Sequence, residues 1–229
     1  MRRATFTDTA VSYAAIGGTL APDLLRYPPK GYRPIECTVR LGSGEERFQL
    51  ASKSLMTWGV QRGSGMTVTD LLSSTGEQYT GLVFNADGQA ARDQKSAANE
   101  ATFGDDGTPY IVNGMSAHLS VKVGPFTIDA PVRVVYVIDE PDRVGFAYGT
   151  MVGHPASGEE SFIVDKRDDD SVWLTIRAFS RPSTWRYRLG WPVARLQQAK
   201  FTKRYLRALH PIGAEIGRAS CRERVCYAV

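Results

Sequence analysis

GFAYGTMVGHPASGEESF, residues 145–162, carries the strongest fold signal in the chain. Along 143–154, Phe146, Tyr148, Thr150, Val152 and His154 fall on one side of the alternation, and Gly145, Ala147, Gly149, Met151 and Gly153 on the other. A period of two is the mark of a β-strand. Pro155 and Gly158 then break the run, and a second strand is expected from Glu160. Two strands around a tight turn make a hairpin, and hairpins build antiparallel sheets. The small side of the first strand has two readings. It lets another element approach closely, or it leaves a void for a ligand.

The neighbouring segments extend the same pattern. Leu119, Val121 and Val123 alternate before a Gly124-Pro125 turn. The run 131–139, PVRVVYVID, is β-branched and aromatic, and Glu140-Pro141-Asp142 turns the chain into the central hairpin. Downstream, strands are expected at 160–166 and 171–179, joined by the polar turn Arg167–Asp170, with Ser180-Arg181-Pro182 breaking the sheet. Strands linked by turns this short form an antiparallel meander.

The N-terminal part supplies one more strand and a helix. Ile35, Cys37, Val39 and Leu41 alternate within 31–41, which places the Cys37 thiol in the core as a small apolar group. Phe48, Ala51, Leu55 and Trp58 recur at helical spacing over 45–58, behind Glu45 and Glu46, whose charges suit a helix N-terminus. A short strand follows at Met66–Thr69. Residues 1–29 read either as an arm packed across the domain or as a disordered leader. Residues 70–114 are polar, with a weak strand at Tyr79–Phe84, and read as an inserted lid or a solvated loop.

The last element expected is a long helix over 191–209. Pro192 suits its first turn, and Ala194, Gln198, Phe201, Tyr205 and Leu209 form an apolar stripe interrupted at Gln198. Lys200, Lys203, Arg204 and Arg207 form the solvated side. The order predicts one α+β domain over 30–211, a curved antiparallel sheet gripped by a long C-terminal helix. This is the helix-grip arrangement, which encloses a cavity beneath the helix.

Composition narrows the class. With 42% hydrophobic and 23% charged residues over 229 positions, one well-filled core is expected. No apolar run is long enough for a membrane span, and the two N-terminal arginines precede no apolar h-region, so the expected location is the cytoplasm. The segment 212–229 holds Cys221, Cys226 and three of the arginines and reads as a non-native read-through tail. Without its last fourteen residues, 216–229, the net charge falls from +4 to +2 and Cys37 stands alone, so no disulfide is expected. There is no GxSxG elbow, P-loop, GxGxxG, HExxH or CxxC, so no cofactor or metal is expected. The basic side of the last helix lacks interleaved aromatics, which argues against nucleic acid.

Three stretches carry a resemblance. They are VVYVIDEPDRVGFAYGTMVGHPASGEESF at 134–162, VWLTIRAFSRP at 172–182, and Pro192 to Leu209 with Gln198 and Tyr205-Leu206. Together with APDLLRYPPKGY at 21–32, they resemble an uncharacterised bacterial and plant family, UPF0548, also catalogued as a domain of unknown function, DUF1990. The similarity runs from Tyr13 to Leu209 and departs at 70–114 and after Pro211. The resemblance implies a compact α+β domain and no assigned activity. By analogy it implies kinship with the START-like, hydrophobe-binding helix-grip folds, and fold alone does not fix function.

The candidate site residues are Tyr148, His154, Glu159, Glu160, Arg177, Arg181 and Gln198. A carboxylate beside an imidazole is how general bases are assembled, and the same contact also stabilises a turn. Alternation lets only one of Glu159 and Glu160 face inward, and one histidine with one carboxylate falls short of a metal's usual three protein ligands. Arg177 shares a strand face with Trp173 and Phe179, where it either grips a ligand anion bidentately or pairs with an internal acid such as Glu160. Arg181 sits at the sheet end, and Gln198 needs a polar partner. Trp58 and Tyr136 read as core aromatics.

The expected function is binding of a small hydrophobic or amphipathic molecule beneath the last helix. One alternative is an enzyme using His154 with Glu159 or Glu160 as acid and base on a hydrophobic substrate. Another is an interaction or scaffold domain.

Overall fold

Period-two segments dominate the chain, and they form β1 (Arg33–Ser43), β2 (Thr67–Leu72), β3 (Ser116–Val123), β4 (Phe126–Glu140), β5 (Arg143–Thr150), β6 (Ala156–Lys166) and β7 (Ser171–Pro182). Helices α1 (Glu45–Met56) and α2 (Gly59–Gly63) lie between β1 and β2, and a further helical segment, α3, spans 202–208. The structure is a computed structural model that describes residues 11–72, 104, 107–123, 126–184 and 202–210. The seven strands make one antiparallel sheet in the order β1-β7-β6-β5-β4-β3-β2. β3 to β7 form the expected meander. β1 closes one edge beside β7, and α1 with α2 carries the chain across to β2 at the opposite edge.

That crossing explains why one sheet face is covered by helices. Phe48, Ala51 and Leu55 recur on one side of α1 and pack with Trp58 against Phe146, Phe162, Val164, Leu174 and Ile176. Tyr205, Leu206 and Leu209 from the α3 region join the same core. Fully burying a side chain of this size contributes about 1.5–3 kcal/mol, so this cluster is the main apolar contribution to stability. Arg47 secures α3 to the sheet edge: its Nε donates to the Leu41 carbonyl at 3.0 Å, and its Nη2 donates to the Leu209 carbonyl at the helix end.

The opposite face is covered by the N-terminal segment. Tyr13, Leu24 and Phe179 form a second, smaller cluster, with Tyr13 and Tyr32 both edge-on to Phe179. Val11, Ala15 and Ile16 of the same segment pack against this cluster.

Several boundaries differ from expectation. β5 ends at Thr150: Met151 still bonds in register to the Pro131 carbonyl, but the His154 amide then donates back to the Met151 carbonyl and Gly153 takes φ +98, which turns the chain. Val152 therefore stands 71% exposed on the turn, and the alternation does not reach His154. β6 starts at Ala156, not Glu160, and β7 continues through Pro182. Pro182 occupies the last pair of the ladder, opposite Ala156, where a missing N–H costs least. Part of the expected insertion is core: Ile111 is buried and its amide donates to the Met56 carbonyl, while Gly114 donates to Val134. The Tyr79–Phe84 strand, the first part of the 191–209 helix and the tail after Pro211 lie outside the described residues. No helix among the described residues is long and apolar enough to cross a membrane.

Candidate functional site

Adjacent residues of a strand point to opposite faces, so Glu159 and Glu160 are sent to different environments. Glu160 lies directly across from Tyr148 in the β5–β6 register, on the helix-covered face. The Tyr148 hydroxyl donates to Glu160 Oε2 at 2.6 Å. Aromatic rings surround this pair. Trp58 stacks on Tyr148 with centroids 6.2 Å apart, Phe162 lies 5.7 Å from both Tyr148 and Phe146, and Tyr205 meets Phe162 edge-on at 5.4 Å. The Tyr205 hydroxyl points to the Met66 sulfur at 3.6 Å.

Electrostatics follow from that setting. Burial among rings disfavours the charged carboxylate and pushes Glu160 up to about 7, while the Tyr148 bond acts in the opposite direction. Burial also pushes Tyr148 and Tyr205 well above the usual phenol value, so both stay neutral. The folded protein thus holds the Glu160 proton more tightly than the unfolded chain does. Its contribution to stability is fully present below the unfolded value near 4.5 and is lost as pH rises through about 7. Glu160→Gln, which mimics the protonated form, is expected to be close to neutral at pH 5 and stabilising by about 1–3 kcal/mol at pH 8. Urea unfolding at the two pH values measures this, and an unchanged difference between them would refute it.

Glu159, on the other face, is 2% exposed and fully engaged. It accepts from the Tyr13 hydroxyl at 2.6 Å, the Gly17 amide at 2.7 Å, the Thr19 amide at 2.9 Å and the Thr19 hydroxyl at 2.5 Å. Thr19 Oγ1 also lies 2.7 Å from the Tyr136 hydroxyl, so Tyr136 belongs to this network and not to the apolar core. Arg177 completes the latch. Its Nη1 and Nη2 donate to the Thr19 and Ala21 carbonyls, each at 2.7 Å, and its Nε lies 2.8 Å from Glu36 Oε2. Its acid partner is therefore Glu36 and not Glu160, because Arg177 and Glu160 project to opposite faces.

The small side of β5 is explained by the same segment. A Cβ on Gly149 would sit 2.5 Å from the Tyr13 hydroxyl and 2.6 Å from its ring. The glycine thus serves close approach by the N-terminal arm, on the face opposite the helices.

His154 is not joined to either glutamate. Its Nδ1 lies 2.9 Å from both the amide nitrogen and the carbonyl oxygen of Ala156, within its own turn. Burial lowers its pKa to about 4, so it is neutral at physiological pH. The guanidinium of Arg181 stacks over the Tyr32 ring at 4.5 Å, and Gln198 lies outside the described residues. Of the seven candidates, the structure joins Tyr148 to Glu160 on one face and places Glu159 with Arg177 on the other.

Sequence reasoning missed Tyr13, Gly17 and Thr19 as partners of Glu159, since no local pattern marks bonds that span roughly 140 residues. It also missed the left-handed backbone of Trp58, φ +64, and the fully buried Trp58 Nε1 and Gln61 amide, which have no hydrogen-bond partner among the described residues.

Fold and site together define an α+β protein built on one curved antiparallel sheet, with a carboxyl set into its aromatic face. The chain belongs to the family described as Domain of unknown function (DUF1990), which it matches over residues 12–88 and 82–208. It is 39% identical over 77 residues to a UPF0548 protein of Deinococcus radiodurans, covering 34% of this chain and 39% of that one. It is 30% identical over 121 residues to one of Arabidopsis thaliana, covering 50% and 58%, and 35% identical over 105 residues to one of Dictyostelium discoideum, covering 41% and 49%. The matched part therefore spans about half the length of these relatives, which include a plant and an amoeba. Among solved structures, a hypothetical protein of Helicobacter pylori aligns over 87% of this chain and 94% of its own, with TM-score 0.44 and 8% identity.

Proposed function

We propose that this protein binds a small hydrophobic or amphipathic ligand on the helix-covered face of the sheet, beside Glu160. In this reading α3 covers the ligand on that face of the sheet. One observation carries the reading. A carboxyl with partial solvent contact, bonded to a buried tyrosine hydroxyl, sits among aromatic rings where a purely structural core has no use for it. Glu159 and Arg177 are taken up by the N-terminal arm and are not ligand contacts.

Thermal-shift screening with isoprenoids, aromatics and single-chain lipids tests this. Binding at ten to a hundred times Kd stabilises the fold by about 1.4–2.7 kcal/mol, a shift of several degrees. The shift is expected to shrink in Glu160→Ala and Tyr148→Phe. A screen without stabilising compounds, or a shift indifferent to both substitutions, would overturn the proposal.

The position of Glu160 near neutrality favours one further reading of the same residue, as general acid or base on the bound molecule. His154 takes no part in it, being held in its own turn.

A further inference from the structure

We infer that the site beside Glu160 selects a cationic amphipath, an alkyl- or arylammonium, with its charge on Glu160 and its apolar part beneath α3. This rests on the ligand-binding reading and adds the class of headgroup. Among the described residues, Glu160 has one oxygen left without a donor. Tyr148 occupies Oε2, and Oε1 accepts no hydrogen bond from any described residue. A free acceptor in an apolar setting favours a donor, and a positively charged donor most of all.

The surroundings point the same way. The faces of tryptophan, tyrosine and phenylalanine rings carry negative potential and attract cations, which is how alkylammonium groups are recognised in aromatic cages. Trp58, Phe146, Tyr148, Phe162 and Tyr205 form a continuous set of ring contacts that includes the tyrosine bonded to the carboxyl. Among the described residues, the titratable groups facing it are Tyr148 from β5 and Tyr205 from α3, both neutral. β7 presents Ala178 at the paired position, and α1 brings Phe48, Ala51, Leu55 and Met56 to the same cluster.

An anion finds no such partner among the described residues. Arg177 is on the opposite face, held by the Thr19 and Ala21 carbonyls and by Glu36. Arg47 is bound to the Leu41 and Leu209 carbonyls, and Lys166 to Glu45 and Asp142. Lys203 and Arg204 lie on the exposed side of α3. A ligand carboxylate beside Glu160 would meet like charge without compensation.

Binding an ammonium requires Glu160 to be ionised, so it releases a proton wherever the free protein holds one. The group titrates near 7, so affinity for the cation rises with pH up to that value and levels off above it.

The test compares octylammonium, octanol and octanoate by isothermal titration calorimetry on the full chain at pH 5.5 and pH 8, in two buffers of different ionisation enthalpy. Octylammonium is expected to bind at least tenfold tighter at pH 8 than at pH 5.5, releasing about half a proton near pH 7. At pH 8 it should exceed octanol tenfold, with octanoate weakest. In Glu160→Gln the preference for ammonium over alcohol and its pH dependence should both vanish.

If all three bind equally, or octanoate binds best, the headgroup assignment is wrong while the binding site stands. A pH-independent preference for ammonium that survives in Glu160→Gln overturns the assignment in the same way. If none of the three binds, the headgroup assignment falls; if the broader ligand screen is also empty, the binding reading falls with it. The wild-type pH profile keeps the test decisive should the variant fold poorly.

Discussion

Gly158→Ala is expected to destabilise the fold severely, by about 4 kcal/mol or more. Gly158 has φ +151, a conformation that side-chain-bearing residues rarely adopt. A Cβ built there would lie 1.9 Å from the Phe179 carbonyl oxygen, 2.9 Å from the Ser180 Cα and 3.0 Å from the Phe179 carbonyl carbon. All three are backbone atoms of β7, paired with β6 through eleven register positions, so no side chain can swing aside to relieve the contact. The Gly158 amide also donates to Thr150 Oγ1 at 3.0 Å, tying the start of β6 to the end of β5. Backbone strain and overpacking each cost about 1–3 kcal/mol, and together they reach about 4 kcal/mol or more. That is a large share of the roughly 5–15 kcal/mol that holds a typical domain together. Circular dichroism melting of the purified variant checks it, and a loss below about 1 kcal/mol would contradict the close approach of β6 and β7.

Glu159→Ala is expected to release the N-terminal arm and cost about 3–5 kcal/mol. The substitution removes one acceptor and orphans three donors at once, the Tyr13 hydroxyl and the Gly17 and Thr19 amides, while the Thr19 hydroxyl keeps only Tyr136. A buried donor left without a partner costs about 1–3 kcal/mol. The sum is limited because the arm escapes into water once it lets go. Its departure uncovers Phe179, which is fully buried, and the glycine-lined side of β5. Among the described residues, Arg177 on the Thr19 and Ala21 carbonyls, Ser12 on Thr150 and Ser157, and Thr19 on Tyr136 are then the polar contacts left to hold the segment. Amide hydrogen exchange provides a local readout: protection at Gly17 and Thr19 should drop towards unfolded values while that of β5 and β6 persists. Protection unchanged at both amides would show that the latch is not what holds the arm.

These two neighbours show where local reading succeeds and where it stops. The strands were legible because their signal is local: the alternation of Ile35 with Cys37 and of Leu119 with Val121 needs no knowledge of partners. α1 was legible for the same reason, through Phe48, Ala51 and Leu55, and Cys37 is buried as its position in β1 required. The separation of Glu159 from Glu160 was also present in the chain, since adjacent strand residues face opposite ways. The boundaries were less legible. Val152 and His154 continue the alternation on paper, but the turn closed by the His154 amide on the Met151 carbonyl, with Gly153 at φ +98, ends β5 first.

Residue order was enough to establish the antiparallel meander, the α1 stripe, the family and the placement of the two glutamates on opposite faces. What each glutamate means emerged only once the chain was packed. Glu159 received four donors from a segment about 140 residues away and became a latch. Glu160 received one tyrosine hydroxyl and a shell of rings and became the group with an oxygen to spare. A carboxylate's role depends on how many donors reach it and how much water is removed from it. Both quantities are set by residues far apart in the chain. The same holds for the stretch 145–162. Its glycines announce that something comes close, but only packing shows that Tyr13 meets Gly149 and the β7 backbone meets Gly158.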